Sequence, residues 1–394
     1  MADLPRISAA HAFLFAAILV YALAGTPTPD NPGMIEGIIG ALLLLSVLCG
    51  GIARIADVGL GSGIYIKSVQ IFFLCGLIVP TAAAVYFANG HALILRDIAA
   101  FCFLGLPLFL AGTFAGRAQE SNILIGLCVL AGIGFCVRTL MPVFNVWAPE
   151  GELLYLSNSP LAMFAGIALV CAGWSRLLTL RIKNALPAAL CFGGAGVIVA
   201  AMLLDVQRAT IGAIVLSLIG VAVTDLVRTP KKAAVPFAAV VLLLLAVYPL
   251  VGGGVEAMVR KTGEVGLNMR LQEAGAVYDA MKASPVSFFA GQGWGAVFSS
   301  PAVGGLEVNY THSLLTTMAM KGGAAMFMLC LLMLVSAVYE IFLIFQRDKS
   351  GGFALLWPLL IPAFLYASHK SLDFGLVLLL IGMWRNGRAP LQPR

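Results

Sequence analysis

Residues 323–345 read GAAMFMLCLLMLVSAVYEIFLIF, a run of 23 residues with one charged side chain, Glu340. A run of about 20 apolar residues can cross the hydrocarbon core of a bilayer as a helix. Comparable runs recur along the chain, which is 61% hydrophobic and 11% charged, with a mean hydropathy of +0.99. No water-soluble fold could cover so much apolar surface, and runs rich in Leu, Ala and Ile are typical of helices rather than barrel strands. The sequence therefore predicts an all-α polytopic membrane protein.

We predict twelve transmembrane helices in a single integral membrane domain, residues 1–394. The predicted spans are 7–23, 34–52, 68–87, 98–114, 122–140, 159–174, 185–204, 209–226, 234–251, 323–345, 353–366 and 372–384. The first run lacks a small-residue cleavage site, so we expect it to be retained as a helix. The last two are short for a roughly 30 Å core, which leaves eleven spans as the alternative.

The basic residues set the orientation. With a cytoplasmic N-terminus, 15 of the 24 Lys and Arg side chains fall on the inside, as the positive-inside rule requires. Those 15 are Arg6, Arg54, Lys67, Arg117, Arg176, Arg181, Lys183, Arg228, Lys231, Lys232, Arg347, Lys349, Arg385, Arg388 and Arg394. The nine outside are Arg96, Arg138, Arg208, Arg260, Lys261, Arg270, Lys282, Lys321 and Lys370. Headgroup snorkelling accounts for Lys282 and Lys370. For the others, a site for an anion at the outer face is the sharper interpretation.

The polar interruption between the ninth and tenth spans, residues 252–310, is predicted to be a large periplasmic loop. It carries Arg260, Lys261 and Arg270. Within it we predict a short amphipathic helix over 269–283, which Pro285 ends. A cation in the first turn of a helix opposes the helix dipole. Arg270 is therefore placed there either to bind a ligand or to pair with Glu273.

A glycine-rich stretch, GQGWG, occupies positions 291–295. Its glycines could leave backbone N–H groups free to approach a phosphate or a sugar, and Trp294 could stack on a pyranose face. The alternative is a plain turn.

His312 is predicted to open the tenth helix, directly after the loop. The positive end of the helix dipole would keep the imidazole neutral and able to accept a proton. The alternative is that His312 is an interfacial histidine without a functional role. Arg208 lies at the outer end of the eighth span, where an arginine is costly unless paired. It forms either a structural pair with Asp205 or an anion site that Asp205 holds in place.

The acidic and sulfur-containing residues argue against a metal centre. Eleven of the 18 acids fall outside, and none forms a D-x-D pair, so we expect no divalent metal and no cofactor. The eight cysteines lie in apolar runs without C-x-x-C spacing, which is typical of packing residues. Nothing in the pattern points to nucleic acid.

The string formed by Arg270, Tyr278, Pro285, the glycines of 291–295, His312, Leu315 and Gly322 resembles the signature of the O-antigen ligase and O-antigen polymerase superfamily. Arg208 followed by Gly212 is similar to that family's Ser-Arg-Gly stretch. Two positions depart from the pattern: Gln207 replaces Ser, and Ser313 stands where Asn is common. The sequence motifs cover about 60 residues, while the predicted helix count and loop position match the family throughout.

The resemblance implies a glycosyltransferase of the GT-C type. Such an enzyme moves a glycan from undecaprenyl diphosphate to an acceptor hydroxyl at the periplasmic face of the bacterial inner membrane, with inversion and without a metal. His312 would then be the general base, while Arg208 and Arg270 stabilise the leaving diphosphate. The candidates for substrate binding are Arg138, Gln207, Arg260, Lys261, Gly291, Gly293, Trp294, Asn309 and Tyr310.

Members of the superfamily differ in the acceptor that they use. Ligases use lipid A-core, polymerases extend the glycan itself, and protein O-oligosaccharyltransferases glycosylate proteins. We favour the ligase, since the chain has one large loop and no soluble domain after its last helix. A polymerase is the runner-up. From another class, a lipid-linked glycan flippase or a transporter would also have twelve helices, but should show internal repeats and charges near the bilayer midplane.

Overall fold

The computed structural model describes residues 7–27, 33–50, 63–144, 156–179, 181–242 and 268–387. Its helices are α1 (Ala9–Ala24), α2 (Met34–Gly50), α3 (Ile64–Tyr86), α4 (His91–Leu104), α5 (Leu106–Leu110), α6 (Ala118–Leu140), α7 (Pro160–Leu177), α8 (Ala185–Leu204), α9 (Arg208–Arg228), α10 (Asn268–Met281), α11 (Pro285–Ala290), α12 (Leu314–Arg347), α13 (Lys349–Phe364) and α14 (Leu372–Gly387). Residues 230–242 are helical as well. Strands β1 (Phe298–Ser300) and β2 (Leu306–Val308) form an antiparallel pair with Ser299 opposite Glu307. Short 3-10 turns cover Ala111–Phe114, Met141–Phe144, Ile182–Asn184, Pro301–Val303 and Ala367–Lys370.

Six helices of the described chain are long and apolar enough to cross a membrane, and a bent pair raises that number to seven. The six are Ile64–Tyr86, Ala118–Leu140, Pro160–Leu177, Ile182–Leu204, Arg208–Arg228 and Leu314–Arg347. Four further apolar helices are shorter: Ala9–Ala24, Met34–Gly50, Lys349–Phe364 and Leu372–Trp384. This is the architecture of an all-α, multi-pass membrane protein. The predicted ninth span is described only as far as residue 242.

The fourth predicted span, 98–114, is not one straight helix. It consists of α4, the short α5 and a 3-10 turn, with a bend of 46° between His91–Leu104 and Leu106–Phe114. Gly105 lies at the break and Pro107 follows in the first turn of α5. Proline has no N–H to donate and its ring clashes with the preceding helical turn, so the chain bends here.

The tenth predicted span, 323–345, coincides with the second part of a longer, kinked helix. Helix α12 starts at Leu314, and Gly323, the predicted first residue, is an interior break with φ 65° and ψ −160°. A break in a buried helix leaves carbonyl groups without their usual partners. The glycine-rich turn at 291–295 supplies replacement donors. The N–H groups of Gln292 and Gly293 donate to the carbonyls of Met320 and Lys321, at 2.9 Å each.

The predicted loop helix is also corrected at its end. Helix α10 stops at Met281, and Pro285 begins α11 instead of ending a helix. The Ser284 side chain caps α11 by accepting a hydrogen bond from the N–H of Ser287, at 3.0 Å. Proline is favoured in the first turn of a helix, because its missing N–H is not needed there.

The centre of the bundle is the last helix. From Leu372 to Trp384 every residue of α14 is buried, and it packs against α4, α5, α6, α7, α12 and α13. Apart from Asp373 in its first turn, the segment from Leu372 to Trp384 is apolar on all sides, and such a helix must be enclosed by other helices or by lipid. Enclosure by protein explains why a short predicted span is an integral part of the fold.

Candidate functional site

Glu273 and His312 form the centre of the site. Glu273, on α10, is buried, and its Oε1 lies 2.9 Å from Nδ1 of His312. The backbone N–H of His312 donates to Oε2 of the same carboxylate at 3.0 Å, and the hydroxyl of Ser300 donates to Oε1 at 2.9 Å. Three elements therefore meet at one carboxylate: α10, strand β1 and the residue just before the Ser313 N-cap of α12.

The contacts of Glu273 fix its charge and the orientation of the imidazole. Burial acts to raise the pKa of Glu273, but the hydrogen bonds from His312 and Ser300 outweigh burial and hold that pKa below its ordinary value. An ionised carboxylate can only accept hydrogen bonds, so Nδ1 of His312 carries a proton. The other ring nitrogen, Nε2, is then the atom that can accept a proton from a substrate. From the sequence alone, Glu273 is expected only as a partner for Arg270.

Two arginines interact electrostatically with groups in this part of the structure. Burial lowers the pKa of Arg270, and the carboxylate of Glu273 opposes that shift. Tyr366 interacts electrostatically with the guanidinium groups of both Arg208 and Arg270. Arg208 is the first residue of α9 and precedes Arg270 of α10 by 62 positions in the chain, so the fold brings both within electrostatic range of one tyrosine.

Tyr310 connects the imidazole to a lysine that the sequence analysis assigned to headgroup snorkelling. Its ring packs edge-on against His312, with centroids 5.7 Å apart, and Nζ of Lys370 lies 4.9 Å from the centroid of the same ring. Lys370 ends the 3-10 turn Ala367–Lys370 and is mostly enclosed by protein. The snorkelling assignment is therefore wrong. This lysine is part of the site's surroundings, and the tertiary fold alone brings it there.

A second histidine lies behind the first. His369 is buried, its Nε2 is 3.1 Å from the Thr317 hydroxyl, and that hydroxyl is 2.8 Å from the hydroxyl of Thr311. Burial lowers the pKa of His369 to about 3, so the ring is neutral. The sequence alone predicted no role for His369 or Tyr366. The only sequence signal was the polar cluster around His369 and Lys370, between two short apolar runs.

The glycines of 291–295 do not present free N–H groups to a ligand. Gly291 and Gly293 have φ of 72° and 85°, a conformation that disfavours side chains. A Cβ would lie 2.4 Å from the Gly322 nitrogen in the first case and 2.2 Å from the Ala84 nitrogen in the second. Gly291 donates its N–H to Ser287, and Gly293 to Lys321. The stretch is a close-packed junction between α3 and α12, which corrects its predicted role in substrate binding.

Trp294 is likewise structural and cannot stack on a sugar, because only 2% of its surface is exposed. Its ring packs against Phe101, with centroids 5.0 Å apart. Its indole N–H donates to the carbonyl of Gly76 in α3, at 3.2 Å. In a regular helix that carbonyl would accept from position 80, but Pro80 has no N–H. The indole N–H thus replaces the backbone donor that Pro80 lacks.

A buried ion pair anchors the junction. Nζ of Lys321 lies 2.7 Å from Asp97 Oδ2 and donates to the carbonyl of Ala296, also at 2.7 Å. The N–H of Gly295 donates to the same carboxylate oxygen at 2.8 Å, and the Asn309 amide donates to Oδ1 at 3.4 Å. A charge buried in a helix bundle is costly unless it is paired and hydrogen-bonded. Asn309, a predicted substrate-binding residue, thus contributes to the anchor.

The other predicted residues are distributed as follows. Arg138 donates to the Gly25 carbonyl at 2.8 Å, at the C-terminal end of α1, and its role in substrate binding stays a prediction. Gln207 is buried at the N-cap of α9, beside Arg208. Arg260 and Lys261 lie outside the described residues.

Within the described ranges, no three His, Cys, Asp or Glu side chains lie close enough together to hold a metal ion. Independence from a metal stays a prediction.

The partnership between Trp294 and Pro80 can be measured. Trp294→Phe keeps an aromatic ring but leaves the Gly76 carbonyl unsatisfied, which we expect to cost about 1–3 kcal/mol of unfolding free energy. In a Pro80→Ala background the restored N–H at position 80 can bond that carbonyl, so the cost should shrink. Thermal unfolding of the detergent-solubilised single and double variants measures both. An equal penalty in the two backgrounds would contradict this account.

Comparison with known proteins adds no identification, because no protein-family model and no curated protein matches this chain.

Proposed function

We propose that this protein is a membrane glycosyltransferase that moves a glycan from undecaprenyl diphosphate to a hydroxyl of a lipid A-core sugar, with His312 as general base. The observation that carries the proposal is the hydrogen-bonded pair formed by Glu273 and His312. Arg270 interacts electrostatically with Glu273, and Tyr366 interacts with both Arg270 and Arg208. The pair provides a base, and the arginines provide cationic charge for a leaving group. The resemblance of the chain's motifs to those of O-antigen ligases indicates a reaction that needs both a base and cationic charge.

The chemistry assigns one task to each group. The acceptor hydroxyl attacks the anomeric carbon as the bond from that carbon to the diphosphate oxygen breaks. Nε2 of His312 takes the hydroxyl proton, while Glu273 stabilises the imidazolium that forms. The diphosphate leaves as an anion, and the two guanidinium groups stabilise its growing charge. Because a diphosphate leaves without protonation, no separate acid is needed. A polymerase would use the same groups, so an assay with purified acceptors separates the two.

We further propose twelve spans in the bacterial inner membrane, with both termini in the cytoplasm and residues 252–310 in the periplasm. Support comes from contacts between helix ends, or loops next to them, that this topology assigns to the same side of the membrane. On the outer side, the Asn89 amide donates to the Gln292 carbonyl at 2.8 Å, and Arg138 reaches the end of α1. On the inner side, Nζ of Lys349 lies 2.6 Å from Asp225. Twelve alternating spans bring each of these pairs to one face.

Replacing the base or its partner should reduce transfer. We expect His312→Ala to lower the rate about 10²- to 10⁴-fold, the usual worth of general-base help. Glu273→Gln places an amide N–H₂ against a donor of His312 or Ser300 and should cost roughly 10- to 1000-fold. Purified protein, lipid-linked glycan and acceptor provide the assay. Glu307→Gln, on the exposed β2 strand, is the control and should keep wild-type rates. Wild-type transfer by His312→Ala would rule the mechanism out.

Replacing the arginines tests the diphosphate site. Arg208→Lys or Arg270→Lys keeps the charge but loses the bidentate fork, so we expect a loss of roughly 10- to 1000-fold in transfer at normal protein abundance. Arg176→Lys, at an exposed position on α7, is the matched control. Because the guanidinium groups carry the charge, turnover should persist in EDTA. Full activity of the double Lys variant, or loss in EDTA that Mg²⁺ restores, would refute the assignment.

Thiol labelling tests the topology. Ser299 is exposed on β1, and a membrane-impermeant reagent should label Ser299→Cys in intact cells. Lys232→Cys, on the opposite side in this topology, should react only after lysis. Labelling of the unaltered chain gives the background from its eight native cysteines. The reverse pattern would invert the orientation.

A further inference from the structure

Lys370 is a cation without an ionic partner of its own. Its side chain is mostly enclosed by protein, yet among the described residues no carboxylate lies within ion-pair distance of its ammonium group and no acceptor hydrogen-bonds to it. The carboxylate of Asp97 acts on it electrostatically, but that carboxylate is already paired with Lys321 at 2.7 Å. An enclosed charge without a counter-charge is costly. The ammonium group is therefore available to an anionic ligand.

A ligand can reach this ammonium group through a cavity. Lys370 lines a cavity of about 630 Å³ together with Arg96 and Asp97. The volume lies within the range of roughly 300–1,000 Å³ that is typical of small-ligand sites. The charge of Lys370 is therefore not sealed inside the helix bundle.

A single aromatic ring separates Lys370 from the proposed general base. The ammonium group lies 4.9 Å from the centroid of the Tyr310 ring, a cation–π contact that holds it in place. The same ring packs edge-on against His312, with centroids 5.7 Å apart. A substrate whose hydroxyl bonds to Nε2 of His312 can therefore place a neighbouring group at Lys370.

The surroundings of Lys370 differ from those of the two arginines. Arg208 and Arg270 both interact with Tyr366. The charges that act on Lys370 belong to α4 and α12 instead, and they are Asp97, Lys321 and Arg96. In an inverting displacement, the leaving group and the general base lie on opposite faces of the reacting sugar. A cation next to the base therefore faces the acceptor, while the arginines are assigned to the diphosphate.

We propose that Lys370 binds an anionic substituent of the acceptor, a phosphate or a carboxylate, and so selects acidic core sugars over neutral ones. The inference rests on the proposed function, because it takes His312 as the base for the acceptor hydroxyl. The donor's diphosphate is the other possible source of the anion. In that case Lys370 would be needed equally for every acceptor, and the experiment below separates the two sources.

Two matched acceptors test the selection: a lipid A-core with a phosphate on the acceptor sugar, and the same molecule without it. In the transfer assay we expect kcat/KM of the unaltered protein to be at least about tenfold higher for the phosphorylated acceptor, as a charge-assisted contact implies. Lys370→Gln should abolish this preference by raising KM for that acceptor alone, and Lys370→Arg should retain it. The matched control is Lys282→Gln, since that ammonium group lies 4.0 Å from the Tyr278 ring at an exposed position. It should keep the preference of the unaltered protein.

The pH dependence of the preference is a second readout, and it needs no variant. Burial lowers the pKa of Lys370 to about 7, and the charge of Asp97 opposes that shift. The other charged or titratable groups around Lys370 are Arg96, Lys321, His369 and, beyond the Tyr310 ring, His312. The ammonium form is present below this pKa and is lost as pH rises through it. The preference should therefore fall between about pH 6 and pH 9 and persist in Lys370→Arg, because a guanidinium stays charged. Taking the ratio of the two acceptors at each pH cancels the titration of His312.

Equal losses on both acceptors in Lys370→Gln would overturn the proposal, and so would equal kcat/KM values in the unaltered protein or a preference that does not change with pH. Binding of the radiolabelled phosphorylated acceptor, measured without donor, requires no transfer, so the two proposals fail separately. Lys370-dependent binding by a protein that transfers nothing would refute the glycosyltransferase alone. Transfer without any preference would refute the role of Lys370 alone.

Discussion

Every buried backbone group in a membrane-embedded helix needs a hydrogen-bond partner, and the fold of this protein depends on how two helices meet that requirement where they are broken. Helix α12 breaks at Gly323, and α3 contains Pro80. Both interruptions leave carbonyl groups without their usual helical partners, and buried carbonyl groups need a replacement donor. The stretch 291–295 supplies donors to both, through its backbone to α12 and through the Trp294 indole to α3. One short turn thus joins two helices and attaches the polar segment to the bundle.

That attachment determines where the reactive groups lie. The glycine-rich turn is followed by the β1–β2 hairpin, and Ser300 of that hairpin bonds to Glu273. Glu273 in turn holds both the backbone and the ring of His312. The side chain of Asp97 secures the turn from the opposite side, with Lys321 as its partner. The histidine is therefore oriented by residues that are themselves fixed, which is the condition for a general base to act with a defined nitrogen.

The cations that the sequence assigns to the outer side differ in their surroundings. Lys321 and Arg138 are engaged by protein groups, the first by a carboxylate and the second by a helix end. Arg208 and Arg270 both interact with Tyr366, and the ammonium group of Lys370 lies over the ring of Tyr310, which packs against His312. Some of the nine cations predicted to lie outside therefore compensate buried polar groups, and others lie around the candidate site.

The sequence by itself determined the class of fold and the part of the chain that carries polar chemistry. Helix positions follow from local hydrophobicity, so most predicted spans agree with observed helices within a few residues. His312, Arg208 and Arg270 were identifiable because charged and polar side chains are rare in such a chain. Only the tertiary structure decided the partners. Trp294 bonds a carbonyl 218 positions away, and Glu273 lies 39 positions from the histidine that it holds. These pairings, and the burial of α14, arise because unsatisfied polar groups and apolar surfaces are matched across the folded bundle, and no local pattern encodes that match.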